Sequence, residues 1–128
     1  MNRVARSVWV GRVLSALAVL FLGFDTAIKL VQLPVVGETL AQLGYPSRLG
    51  LTIGIVELVC LVLYAVPRTA VLGAILLTAV FGGAIASHIR IASPFLTHIL
   101  FGVYLGLFVW GGLYLRSARL RDLIPAQH

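Results

Sequence analysis

Acidic residues, cysteine and polar linkers are scarce in this 128-residue chain, and each scarcity excludes a class of protein. Aspartate and glutamate total 4, and charged residues make up only 11% of the chain, whereas 60% is hydrophobic. A soluble domain carries far more charge than this. The single cysteine, Cys60, excludes an internal disulfide, a CxxC redox pair and a thiolate metal cage. No glycine-rich stretch resembles a phosphate-binding loop, and most of the glycines lie inside apolar segments.

The chain contains four apolar blocks instead. Each approaches the roughly 20 residues that a helix needs to cross a bilayer. We therefore predict an all-α membrane protein, a single domain over residues 1–128, folded as a four-transmembrane-helix bundle. Residues 1–12 are expected to form a basic arm and residues 116–128 a partly disordered basic tail. The predicted spans are Val13–Leu33, Leu49–Val66, Ala70–Ile89 and Phe95–Leu115.

The arginines predict the orientation of this bundle. Lysine and arginine total 10, which gives a formal net charge of +6. Four spans place only Arg48 and Arg90 on the side away from the termini. Since cytoplasmic segments are enriched in these residues, we expect both termini in the cytoplasm and the protein in the inner membrane. Topology then explains the charge, so the expected partner is the lipid bilayer and not nucleic acid. The arginines on the terminal side are Arg3, Arg6, Arg12, Arg68, Arg116, Arg119 and Arg121.

Glu57 is the one charge in the second span. A charge at mid-bilayer costs about 2.5–3.5 kcal/mol or more, so such residues usually have a partner or a function. Gly50 and Gly54 share its helical face and indicate close helix packing, so we expect Glu57 to face the bundle interior. In the first span, Asp25 and Lys29 are four residues apart, in the favourable order for an intrahelical ion pair.

Ionisable residues of all four spans fall at similar depth. With a rise of about 1.5 Å per residue, Asp25 and Glu57 lie roughly 13 Å below the outer surface. Lys29, His88 and His98 lie roughly 6–9 Å below it by the same rise. We therefore predict a polar pocket in the outer half of the bundle. The candidate catalytic residues are Glu57, His88 and Asp25, and Lys29 and His98 are candidate ligand-binding residues.

The outer link, residues 34–47, is the longest connection and contains several apolar residues. We expect a short helix at Gly37–Leu43, closed by Gly44, lying over the mouth of the bundle. Tyr45, which follows it, is the remaining candidate ligand-binding residue. A lid over a binding site and a simple interfacial connector both fit this segment.

The histidines raise the question of a metal or haem. Glu57, Asp25 and the two histidines are chemically suitable ligands. However, no HxxxH or ExxH pair fixes a coordination geometry, so no metal site is predicted. His88 and His98 lie at a depth that permits two axial haem ligands, but no other feature of the sequence requires haem.

A series of motifs runs along the chain: Lys29-Leu30, Leu43-Gly44-Tyr45-Pro46, Gly54-Ile55-Val56-Glu57-Leu58, Pro67-Arg68-Thr69, Gly73-Ala74-Ile75-Leu76 and His88. In their order and spacing, over roughly residues 13–115, the chain resembles the DoxX-like family of four-span membrane proteins. This family resemblance supports Lys29, Glu57 and His88 as its polar positions. The family name comes from a subunit of a thiosulfate:quinone oxidoreductase, and other DoxX-type proteins are membrane partners of oxidative-stress enzymes.

Three functions fit these observations. The first is a subunit that binds a quinone or another lipophile in association with an oxidoreductase, and the resemblance makes quinone the candidate cofactor. The second is a cofactor-free membrane enzyme of the isomerase, hydrolase or cyclase type, in which the same residues act as general acid and base. The third is a structural or assembly subunit, whose polar cluster only fixes helix packing. The Gly50–Gly54 face also allows a homo-oligomer.

Overall fold

A computed structural model of the chain describes residues 2–123, and its regular elements there are all helical. Five helices of nine residues or more are joined by short turns, and a short sixth helix follows them. The helices are α1 (Arg3–Leu30), α2 (Pro34–Gln42), α3 (Leu49–Ala65), α4 (Ala70–Arg90), α5 (Phe101–Arg116) and α6 (Ala118–Leu123), with a 3-10 turn at Pro67–Thr69 and a π-helical turn at Phe95–Ile99.

Within residues 2–123, three helical stretches are long and apolar enough to cross a membrane: Arg3–Leu30, Pro67–Arg90 and Phe95–Arg116. The fourth apolar helix, α3, has 17 residues, which is at the short end of the range for a span. Large apolar side chains such as Leu20 cover the outside of the molecule, as expected for a surface that contacts lipid. Over residues 2–123 the prediction of an all-α protein is confirmed, and three of its helices are candidates to span a membrane by length and composition.

Both ends of α1 differ from the ends of the predicted span Val13–Leu33. α1 begins at Arg3 and not at Val13, so the expected basic arm is helical. The side chain of Asn2 accepts a hydrogen bond from the amide of Ala5 at 2.7 Å and caps this end. α1 ends at Leu30, before the turn in which Gln32 takes a positive φ of 57°.

The fourth apolar segment begins with an irregular turn that the sequence pattern did not predict. The carbonyl of Pro94 accepts hydrogen bonds from the amide of His98, four residues further on, at 2.9 Å and from the amide of Ile99, five residues further on, at 3.2 Å. The five-residue spacing is that of a π-helix. Regular α-helix starts at Phe101. At the other end, part of the expected disordered tail is helical, because α6 buries Leu120. Residues 124–128 lie outside the described residues.

The four long helices form a closed ring in which α1 packs on α3 and α5, and α4 packs on α3 and α5. Glycines set the close approaches. A Cβ at Gly112 in α5 would lie 2.7 Å from the amide nitrogen of Ser15 and 2.9 Å from the carbonyl oxygen of Gly11. Gly54 in α3 faces Lys29 at the far end of α1. Each of the four long helices is therefore antiparallel to the next one, and α5 packs antiparallel to α1.

A buried polar network closes the bundle at the end where α1 begins. Tyr64 is fully buried, and its hydroxyl donates to the carbonyl of Val109 at 2.7 Å. Ser15 therefore donates to the Tyr64 hydroxyl at 2.8 Å, and Arg116 Nε donates to Ser15 Oγ at 3.0 Å. The Arg116 guanidinium also lies 5.5 Å from the centre of the Tyr64 ring. These bonds join α1, α3 and α5.

The seam between α1 and α5 predicts a sharp difference between two glycine variants. Gly112→Ala should lower the free energy of unfolding by about 1–3 kcal/mol, because the added methyl overpacks against backbone atoms. Gly82→Ala is the matched control, since a Cβ at Gly82 meets no atom within 4 Å. Thermal unfolding in detergent measures both variants. Equal stability of the two would contradict this account of the seam.

Candidate functional site

All six residues predicted for the site line one cavity, with a volume of about 340 Å³. It lies at the end of the bundle opposite Tyr64, where α1 ends and α3 begins, and α2 covers one side. Its walls are mostly apolar. The six residues are Asp25, Lys29, Tyr45, Glu57, His88 and His98, and the apolar lining includes Phe21, Leu22, Ile28, Phe81, Phe101 and Leu105.

Glu57 is the most deeply buried charged group of this cavity, with a relative exposure of 2%. One carboxylate oxygen, Oε1, accepts a hydrogen bond from Lys29 Nζ at 3.0 Å. The other, Oε2, accepts from Thr26 Oγ1 at 2.5 Å. Both oxygens therefore have a donor, and the bonds join α3 to the last turns of α1. This is the arrangement that a buried carboxylate requires.

Lys29 links the two carboxylates. Its ammonium contacts Asp25 Oδ2 at 2.6 Å as well as Glu57, so the predicted i,i+4 pair is confirmed. The side chains of Lys29 and Asp25 are 21% and 31% exposed, compared with 3% for Glu57. An ammonium has three N–H donors. One donor of Lys29 and one oxygen of Asp25 thus remain for another molecule in the cavity.

The two histidines contact each other at the opposite wall. Their ring centres are 5.5 Å apart, and the rings meet edge to face at 69°. His88 Nδ1 is hydrogen-bonded to Ser93 Oγ at 2.9 Å, and His98 Nδ1 to Thr97 Oγ1 at 2.8 Å. Nε2 of each ring is the nitrogen left for a ligand. The π-helical turn contains His98 and positions it beside His88.

The arrangement of the side chains around the cavity does not favour a metal or a haem site. Among residues 2–123, no group of three or more His, Cys, Asp or Glu side chains is close enough to hold a metal ion. Haem ligation by His88 and His98 needs the macrocycle between the two rings. The rings contact each other directly, so the space that a porphyrin plane would occupy is filled.

Tyr45 joins the outer link to α4. Ser87 Oγ donates to the carbonyl of Gly83, so the Tyr45 hydroxyl donates to Ser87 Oγ at 2.8 Å. Arg90 donates from Nη2 to the carbonyl of Leu43, and its guanidinium carbon lies 5.9 Å from the centre of the Tyr45 ring. These contacts hold the end of α2 and the following turn against α4, at the edge of the cavity.

The family model for the DoxX-like family matches residues 13–112, a segment that includes all six predicted site residues. The chain belongs to the DoxX-like family. No curated protein and no solved structure matches it. For this DoxX-like protein, the predicted membership is confirmed, and the catalytic and ligand-binding roles of the six residues stay predictions.

Several polar residues of this DoxX-like site were missed from the sequence. Thr26 is the most important, because it completes the hydrogen bonds of Glu57. Its signal was present: Ser15, Ala18 and Leu22 lie on the buried face of α1, and a step of four leads to Thr26 and not to Asp25. Ser93 precedes the π-helical turn and Thr97 lies within it, and their contacts with the histidines depend on turn geometry that periodicity does not predict.

The ion pair between Lys29 and Glu57 predicts unequal effects of single and double substitution. Lys29→Met should lower the free energy of unfolding by about 3–5 kcal/mol, because it leaves the Glu57 carboxylate buried without its cation. The double variant Lys29→Met/Glu57→Leu should recover part of this loss, since an apolar pair avoids the desolvation cost. Thermal unfolding in detergent gives the values for a double-mutant cycle.

The control for this cycle is Glu38→Gln, which removes one exposed charge from α2. It should change stability by about 0.5 kcal/mol or less. If Lys29→Met were no less stable than this control, or if the two substitutions were simply additive, the proposed coupling between Lys29 and Glu57 would be refuted.

Proposed function

We propose that this DoxX-like protein binds a lipophilic, quinone-like molecule in the cavity below α2. The observation that carries the proposal is the composition of this one cavity, where apolar walls surround a few polar groups. A pocket of this kind suits a flat, largely apolar ligand that a small number of hydrogen bonds orient. At about 340 Å³, the cavity is large enough for a ring with a short substituent.

The remaining hydrogen-bonding capacity assigns a role to each polar residue. The third N–H of Lys29 donates to a ligand carbonyl. Glu57 holds the Lys29 ammonium in place and neutralises it. Asp25 and the Nε2 atom of His88 are the groups placed to exchange protons with ligand oxygens, while His98 and Tyr45 border the ring. Phe21 and Phe101, whose ring centres are 5.2 Å apart, form part of the apolar wall.

Reduction of a quinone requires two electrons and two protons. The cavity residues of this proposal supply protons only, so the electrons come from an oxidoreductase that associates with this protein, as in the first function considered above. The quinone oxygens take up the protons, and the partner is oxidised. The match to the DoxX-like family supports such an assignment, because a quinone enzyme subunit gave the family its name.

Ligand binding tests this proposal directly. A short-chain ubiquinone analogue should bind the detergent-purified protein, and native mass spectrometry should detect the complex. His88→Ala should weaken binding about tenfold or more, which corresponds to one lost hydrogen bond to a charged or polar group. Glu57→Gln should weaken it as well, because the Lys29 ammonium loses the carboxylate that holds it in place. Glu38→Gln removes the same charge outside the cavity and should bind normally.

Folding of each variant is checked by its thermal unfolding before its affinity is compared. His88 is only partly buried, so His88→Ala should remain folded even if Glu57→Gln does not. Unchanged binding in a folded His88→Ala protein and in Glu57→Gln would exclude the quinone-like ligand from this cavity.

Acid–base catalysis without a cofactor is the second candidate function. It is favoured by the position of Asp25, whose partly exposed carboxylate lines the same cavity as the two imidazoles. Turnover of a lipophilic substrate by the purified protein alone, with no electron acceptor, distinguishes this function from the first. A third candidate is an assembly role, which is favoured by the full pairing of Glu57 with Thr26 and Lys29. It would be supported if Glu57→Gln failed to fold and the wild-type protein bound no ligand.

We also propose that α3 crosses the membrane, so that the chain has four spans with both termini in the cytoplasm of an inner membrane. In a Cys60→Ser background, Glu38→Cys should react with a membrane-impermeant maleimide in intact cells. Arg119→Cys should react only after the membrane is opened. The reverse pattern of labelling would invert the orientation, and labelling of both positions in intact cells would rule out four spans.

A further inference from the structure

A second, basic groove lies at the end of the bundle opposite the cavity. It has a volume of about 390 Å³ and runs between the first turns of α1 and the last turn of α5. The network of Ser15, Tyr64 and Arg116 lies further inside the bundle, so the groove is separate from the proposed ligand site. The described residues that line it are Arg3, Arg6, Ser7, Val10 and Leu115.

The spacing of the α1 residues places them on one face of the helix. Arg3, Arg6, Ser7 and Val10 follow one another at steps of three, one and three, which is the pattern of a single helical stripe. Along this stripe the chemistry changes in order from two guanidinium groups, through a hydroxyl, to an apolar side chain. Leu115 of α5 extends the apolar part.

The stripe lies where α1 enters the membrane. Arg3 and Val10 are about 10 Å apart along the helix axis by the usual rise. Trp9 is 58% exposed, and exposed tryptophans of spanning helices lie at the headgroup level. The arginines are therefore placed toward water and the apolar end of the groove toward the hydrocarbon core.

We propose that this groove binds an anionic phospholipid through its headgroup phosphate. The guanidinium groups of Arg3 and Arg6 contact the phosphate oxygens, a geometry for which arginine is well suited. The Ser7 hydroxyl donates to a phosphate or ester oxygen. Val10 and Leu115 contact the first methylene groups of an acyl chain. The groove thus changes from charged to apolar in the same order as a phospholipid does from its phosphate to its acyl chain.

A lipid is a better occupant than a soluble phosphate ion because of the apolar end. Inorganic phosphate would contact the two arginines only and leave Val10 and Leu115 without a partner. Anionic lipids also concentrate near basic residues at the membrane surface, at about 1 kcal/mol for each lysine or arginine. The groove adds shape and a hydroxyl to this general attraction.

Native mass spectrometry of the full-length protein in detergent tests the proposal. Phosphatidylglycerol is added at fixed concentration, and phosphatidylcholine with the same acyl chains is the neutral comparison. The wild type should retain phosphatidylglycerol at least fivefold more than phosphatidylcholine. Arg3→Gln/Arg6→Gln should abolish this preference. Arg68→Gln/Arg119→Gln removes the same charge from the same end of the bundle, outside the groove, and should keep it.

Two further measurements complete the test. Arg3→Lys/Arg6→Lys keeps the charge and should keep most of the preference, which also guards against a folding defect in the glutamine variant. Inorganic phosphate at millimolar concentration should not displace the lipid. Equal loss of lipid in the two glutamine double variants would overturn the proposal, because binding would then follow net charge alone. Displacement by phosphate would overturn the lipid assignment.

Discussion

The buried carboxylate of Glu57 is the constraint on which the rest of the structure depends. A charge at this depth needs donors on both oxygens, and only α1 supplies them, through Thr26 and Lys29. The two helices must therefore approach closely, and Gly54 permits it: a Cβ there would lie 2.9 Å from Lys29 Cβ. Once Lys29 is held by Glu57, its ammonium also reaches Asp25. The same contact thus joins α1 to α3 and forms the charged wall of the cavity.

The two ends of the bundle use polar groups differently. At the closed end, Tyr64, Ser15 and Arg116 form hydrogen bonds with one another and with the backbone. At the open end, Lys29, Asp25 and the histidines line the cavity, and their hydrogen bonds within the described residues leave donors or acceptors unused. Fully buried apolar side chains separate the two ends, from Leu22 at the floor of the cavity through Leu77 to Val109 beside Tyr64. This apolar packing favours a binding site that is open at one end over a continuous polar path through the protein.

The sequence predicted the helices, the family and the membership of the cavity well, because these depend on one-dimensional quantities. Hydropathy locates candidate spans, and a residue count from the end of each span compares depths on different helices, so Asp25, Glu57 and His88 were predicted to lie close together, and all three line the cavity. Hydrogen-bond partners depend on helix rotation and turn geometry, which a depth count does not contain. For this reason Thr26 was missed, and the π-helical turn before α5 was predicted as ordinary helix. The predicted span, Val13–Leu33, starts later than α1 does, because hydropathy marks the membrane and not the end of a helix.

The contacts around Gly44 explain why the link after α2 belongs to the site. Gly44 has a φ of 86°, a conformation that favours glycine, and the Arg90 guanidinium occupies the space where its Cβ would lie. Arg90 can therefore reach the Leu43 carbonyl and stack on Tyr45 only because residue 44 lacks a side chain. The motif Leu43-Gly44-Tyr45-Pro46 is thus one structural unit with the end of α4. Because α4 also carries His88, this unit fixes the cover of the cavity relative to the imidazoles, and a ligand below α2 would contact both.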